Sequence, residues 1–122
     1  LNYAVATEVL MGRWLVIVCL VGAACKKEPE PVEEDRVEVI LTLEGDITNG
    51  AALYDADCAS CHGADGMGGV GSNLVEQLTI LSKEDVVQTV VEGRGVMPEW
   101  GLTKSDEEIA DVVAYLYDAF GP

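Results

Sequence analysis

Cys58 and Cys61 stand three positions apart and are followed at once by His62, the only histidine in the chain. Residues three apart share one side of a helical turn, so both thiols can form thioether bonds to the two vinyl groups of a single porphyrin. The histidine is carried under the same porphyrin face, where Nε2 can ligate iron while Nδ1–H bonds a backbone carbonyl. Competing uses need a context this chain lacks. A redox dithiol wants a βαβ unit, and a structural zinc site wants two further Cys or His ligands. Cys-Ala-Ser-Cys-His therefore predicts one covalently attached haem c. With no second imidazole, a sixth ligand supplied by the protein should be a methionine.

The 122 residues allow one small domain. A domain of that size buries only about 60% of its unfolded surface, so the haem is expected to form a large share of the core. A net charge of −15 opposes nucleic acid or anionic lipid as a contact surface. Any charged partner is expected to be basic where it docks; the same acidity also serves solubility. None of the four cysteines requires a disulfide. Cys58 and Cys61 take the haem, Cys25 sits at a processing boundary, and Cys19 lies in an apolar run.

That run, Trp14 to Ala24, follows Met11-Gly12-Arg13 and stops at Cys25-Lys26-Lys27. It is too short to cross a bilayer and fits the apolar region of a secretory signal, so residues 1–24 read as an upstream extension and signal peptide. Gly22-Ala23-Ala24-Cys25 resembles the lipobox of bacterial lipoproteins, with Gly22 where that pattern usually has Leu. Cleavage and acylation at Cys25 are expected, with simple cleavage or an uncleaved anchor as alternatives. Residues 25–45, acidic and proline-containing, read as a tether. Within it Val37, Val39, Leu41 and Leu43 alternate, which predicts an extended segment lying against the domain.

Residues 46–122 carry the folded part. Asp46 is a good N-cap for a helix through Ile47, Ala51, Leu53 and Tyr54 that delivers Cys58 at its end. Gly63 to Gly71 holds too many glycines for a helix and must be a loop. It is no phosphate loop, since no strand precedes it and no Gly-Lys-Ser/Thr follows. Ser82 caps a helix with the stripe Val86, Val87, Val90 and Val91, ending at Gly93. Ser105 and Glu108 form a capping box for a last helix that buries Ile109, Val112, Val113, Leu116 and Phe120. Asp106, Glu107 and Glu108 read as residues suited to that helix's positive end, not as catalysts.

Between these helices runs Gly93-Arg94-Gly95-Val96-Met97-Pro98-Glu99-Trp100-Gly101. Pro98 restrains Met97 to extended geometry, and a loop methionine can project its thioether toward iron. Core packing is the bland reading of such a residue. Met67 is the rival ligand, five positions beyond His62.

On Cys-Ala-Ser-Cys-His-Gly, Gly-Arg-Gly-Val-Met-Pro-Glu-Trp and the closing Glu-Glu-Ile-Ala-Asp-Val-Val-Ala-Tyr-Leu, the chain resembles a class I c-type cytochrome of the small bacterial monohaem type, over about Asp46 to Phe120. The resemblance implies an all-α cytochrome c fold, with three main helices and loops wrapped around one haem. The first and last helices would cross where Gly50 and Tyr54 meet Val112 and Tyr115. His62 and Met97 carry over as the axial pair holding iron, and Arg94 and Trp100 as neighbours of the haem propionates. Many family members have a proline after the glycine-rich loop whose carbonyl accepts from the ligating histidine. Ser72 stands in that place here.

The function expected is one-electron transfer, without enzyme activity or a small-molecule substrate, by an extracytoplasmic or periplasmic carrier anchored to the membrane through Cys25. Its partners are redox proteins, and no nucleic acid is involved. Two alternatives stand beside this: an electron-entry subunit of a larger respiratory complex, and a haem enzyme or sensor with a labile methionine ligand.

Overall fold

A computed structural model describes residues 33–122, and the expected signal peptide, Cys19, Cys25 and the start of the expected tether lie outside the described residues. Among the described residues every regular element is helical: α1 Glu33–Thr42, α2 Ile47–Asp57, α3 Ala59–His62, α4 Leu74–Ile80, α5 Lys83–Glu92 and α6 Asp106–Phe120, with a 3-10 turn at Trp100–Leu102 before α6. The expected all-α architecture is what the chain adopts.

Helix starts are made by local chemistry. The Asp46 carboxylate accepts from the Thr48 and Asn49 amides at 2.8 and 3.2 Å. Ser82 with Asp85, and Ser105 with Glu108, close reciprocal capping boxes on α5 and α6. The dominant packing is α2 across α6. Gly50 makes this crossing close: a Cβ there would lie 2.6 Å from the Asp111 carbonyl carbon and 2.9 Å from Tyr115 Cβ. One turn on, the buried Tyr54 ring meets Tyr115 and Phe120, each at 5.3 Å between centroids. Val86, Val87, Val90 and Val91 of α5 and Ile109, Val112, Val113 and Leu116 of α6 join the same core.

The segment expected to lie extended is instead the helix α1. Val37 and Ile40 are 5% and 2% exposed, whereas Val39 is 49% exposed, which is the pattern of a helical face and not of a pleat. The alternation misleads because Val37 and Leu41 are also four apart, and because no second strand exists among the described residues to satisfy an extended backbone. The folded unit accordingly begins upstream of Asp46, within the stretch assigned to the tether.

Helix α4 has no counterpart in the sequence reading. It is capped by Asn73, which accepts from the Glu76 amide at 3.2 Å, and it buries Leu78. Asn73 followed three residues later by Glu76 was the available signal.

Candidate haem site

Helix α2 ends at Asp57, Cys58 turns the chain, and the single turn α3 carries Cys61 and His62. The amides of Cys61 and His62 both donate to the Cys58 carbonyl, at 3.1 and 3.0 Å, which holds the pentapeptide in one compact turn. Neither cysteine is paired in a disulfide. Burial, with the Asp57 charge adding to it, pushes the Cys58 thiol up to about 11, so it stays protonated at neutral pH.

His62 is oriented from behind. Its Nδ1 lies 2.9 Å from the Ser72 carbonyl oxygen. A carbonyl can only accept, so Nδ1 is the donor, and in the neutral ring that tautomer leaves the lone pair on Nε2. Ser72 thus takes the place that proline holds in many relatives, through its backbone and not its hydroxyl. Gly71 makes the approach possible: a Cβ there would come within 2.9 Å of both His62 Cε1 and Nδ1. The glycines at 63, 66 and 68 have φ of 81°, 69° and 93°, values an L side chain strains to adopt. Under this loop the Tyr54 hydroxyl donates to the Gly63 carbonyl at 2.6 Å. Burial first, and the neighbouring Cys58 second, push that phenol up to about 12.

Met97 is presented by a tight turn. Its amide donates to the Arg94 carbonyl at 3.0 Å and its carbonyl accepts from the Arg94 amide at 3.3 Å. Gly95 has φ of 62° and among the described residues no non-glycine residue has positive φ, which fits a two-residue II′ turn with glycine at its first central position. Gly93 is required beside it, since a Cβ there would meet the Met97 carbonyl oxygen at 2.5 Å.

These pieces converge on one cleft of about 330 Å³. Cys58, Cys61, His62 and Met97 all line it, and its walls are apolar side chains such as Leu74, Leu78, Val90, Ile109 and Leu116. Met67 is 59% exposed and does not line it. Arg94, Trp100 and Lys104 also line the cleft. Lys104 was missed in sequence; its ammonium bonds Asp57 at 2.6 Å and sits 5.3 Å from the Trp100 ring centroid. The donor chemistry fits a haem: two thiols at vinyl spacing, an imidazole lone pair, a thioether, apolar walls and cationic groups for carboxylates. Among the described residues no cluster of three or more His, Cys, Asp or Glu could form a metal cage by itself.

The family model described as cytochrome c oxidase, cbb3-type, subunit III matches residues 45–116. Cytochrome c6 of Bryopsis maxima is 37% identical over 86 residues, covering 60% of this chain and 91% of that protein. The cbb3-type cytochrome c oxidase subunit CcoP of Azospirillum sp. (strain B510) is 35% identical over 63% of this chain, which spans only 30% of that protein's length. In fold, the chain superposes on the crystal structure of cytochrome cL from Methylophaga aminisulfidivorans with a TM-score of 0.55 at 20% identity, covering 79% of this chain and 71% of that one.

Proposed function

The chain belongs to the c-type cytochromes, in the family described as cytochrome c oxidase, cbb3-type, subunit III, and on that premise we propose that it is a membrane-tethered, periplasmic one-electron carrier whose haem is bonded by Cys58 and Cys61 and ligated by His62 and Met97. The observation that carries the reading is that these four side chains line a single apolar cleft, while the rival Met67 lies outside it. Haem, when bound, supplies a one-electron couple at iron. The protein's part is to hold, orient and exclude. The Ser72 carbonyl fixes the His62 tautomer and ring plane and raises the basicity of Nε2. Met97 would supply the second protein ligand to iron, which would exclude small ligands, and a thioether there would favour the reduced state. The apolar walls keep water away, so little has to reorganise when one electron enters and one leaves.

Replacing Met97 with alanine tests the assignment. Met97→Ala should lower the reduction potential and let carbon monoxide bind the ferrous form rapidly, while Met67→Ala should behave as wild type. The opposite pattern would transfer the role to Met67. Retention of the haem through acid-acetone extraction should be lost only when both Cys58 and Cys61 are replaced. A ferrous wild-type protein that already binds carbon monoxide rapidly would favour the enzyme or sensor reading.

For location and partner, the support is the run Trp14 to Ala24, the lipobox-like Gly22 to Cys25 and the charge. Cys25→Ser should release the cytochrome into the soluble periplasmic fraction. From Asp46 onward 14 acidic residues face only Lys83, Arg94 and Lys104. A basic redox partner should therefore be steered to it, with second-order rates that fall steeply as salt rises. The match to CcoP favours a second reading, an electron-entry subunit of a respiratory complex. Stable co-purification with membrane partners in mild detergent would select it over a free carrier.

A further inference from the structure

Arg36, on α1, turns all three guanidinium nitrogens to the strip of chain that follows the methionine loop. Nε donates to the Asp106 carboxylate at 2.7 Å, Nη1 to the Gly101 carbonyl at 2.6 Å and Nη2 to the Lys104 carbonyl at 3.0 Å. The planar fork of an arginine can meet three acceptors in fixed geometry, which a lysine cannot. The contact is close-built: a Cβ at Gly101 would come within 2.9 Å of Arg36 Nη1 and of Val91 Cγ1. Val37 and Ile40, buried on the same helix, hold α1 in place.

The strip so gripped is a wall of the cleft. Trp100 and Lys104 line it from within, and Lys104 is tied to Asp57, the residue before Cys58. Its own backbone bonds are few and local: Leu102 to Glu99, and Thr103 and Lys104 to Trp100. A 3-10 turn of this length has little stability of its own. It is therefore held by Lys104 on the inner side and by Arg36 on the outer side. Met97 lies three positions before Trp100, so the anchor of this wall is also an anchor of the methionine loop.

We propose that Arg36 is a positioning residue for the Met97 side of the haem cleft: by gripping Gly101, Lys104 and Asp106 from α1, it keeps the loop closed and the thioether in place. The inference rests on Met97 being the distal ligand, and it assigns to α1, a helix upstream of the segment matched by the family model, a part in ligation.

The test uses the full-length, haem-loaded protein. It compares Arg36→Gln, Arg36→Lys and Val113→Ala, the last a buried core position outside the cleft lining. Two readouts are followed: carbon monoxide association with the ferrous form, which requires the methionine to leave, and amide exchange at Leu102, Thr103 and Lys104. Losing charge-assisted bonds should raise the open population at least tenfold, so Arg36→Gln should bind carbon monoxide about tenfold or more faster and exchange those amides correspondingly faster. Arg36→Lys should fall between, keeping the Asp106 pair but not the forked grip. Val113→Ala should lower the unfolding midpoint without speeding carbon monoxide binding. The proposal is overturned if Arg36→Gln matches wild type in both readouts, or accelerates binding no more than Val113→Ala does. Met97→Ala separates the two layers: if that variant binds carbon monoxide as slowly as wild type, the ligand assignment fails, and the exchange readout alone decides whether Arg36 holds the wall.

Discussion

Gly50→Ala sets local preference against packing, and the structure decides the sign. Within an isolated helix alanine is favoured over glycine by about 1 kcal/mol, so α2 alone would gain. At the crossing with α6, however, the new methyl would overlap the Asp111 carbonyl oxygen and lie 2.6 Å from its carbon and 2.9 Å from Tyr115 Cβ. Carbon atoms in good contact sit about 3.5–4.0 Å apart, so the two helices must separate by roughly 1 Å. Neither neighbour can rotate away, because two of the atoms are backbone and the third is a Cβ. Overpacking costs about 1–3 kcal/mol, with the upper end appropriate to a backbone obstacle, leaving a net loss of about 2 kcal/mol after the propensity gain. For a domain of this size about 4–8 °C of melting temperature goes with each kcal/mol, so the midpoint should fall by roughly 8–16 °C. Thermal unfolding of the haem-loaded protein, followed by helical circular dichroism and by haem absorption together, measures it. Because Tyr54 and Cys58 ride on α2 and its end, the haem absorption should also broaden below the transition. A Gly50→Ala protein that melts at or above wild type would show that the crossing is not close-packed, and the reasoning from the glycine would fail.

Tyr54→Phe removes the donor to the Gly63 carbonyl at 2.6 Å and should cost about 1 kcal/mol in urea unfolding. The fold favours the neutral phenol, raising it from 10.0 to about 12, so its contribution is intact below pH 10 and fades as pH climbs through about 12; burial raises Tyr117 as well, and a phenolate absorbance titration should lose the Tyr54 step near 12 in the variant while keeping that of Tyr117. Ser82→Ala opens the capping box of α5 at a cost of about 1 kcal/mol. The Ser82 hydroxyl, and then its backbone amide, hold the Asp85 carboxyl below its usual range, so that stabilisation is present above the ordinary carboxylate pKa and lost as pH falls through the lowered one; the acid-unfolding midpoint should rise in Ser82→Ala. Ser72→Ala should leave the haem spectrum unchanged, since the His62 contact is made by the Ser72 carbonyl and not by its hydroxyl.

What was legible in the sequence is what depends on neighbours along the chain. The Cys58–His62 turn, the caps at Asp46, Ser82 and Ser105, and the valine stripe of α5 are all local chemistry, and the structure carries each of them. The tight turn that presents Met97 was legible in part, as a loop between two glycines; that Gly93 must be glycine because the Met97 carbonyl lies against it was not. The glycine-rich loop was recognised from its composition, but the contact it serves was not. The close approach that Gly71 permits in the structure is to the His62 ring.

The misreading of α1 shows where such reasoning runs out. A period of two and a period near four coincide at Val37 and Leu41, and only the depth of Ile40 in the core breaks the tie in favour of a helix. That depth is set by α5 and α6, which lie far along the chain. The same holds for Arg36. In sequence it is one charge in an acidic stretch; in the fold its three acceptors lie 65 to 70 positions away, and two of them are backbone carbonyls that no residue type announces. Side chains that act on distant backbone leave no motif, because any residue offers the same carbonyl. The parts of this site that make bonds to a cofactor are therefore written locally, whereas the parts that hold those bonds in place are written in the packing of α1 and α2 against α6, and it is there that a substitution outside the haem motif should change how the haem is held.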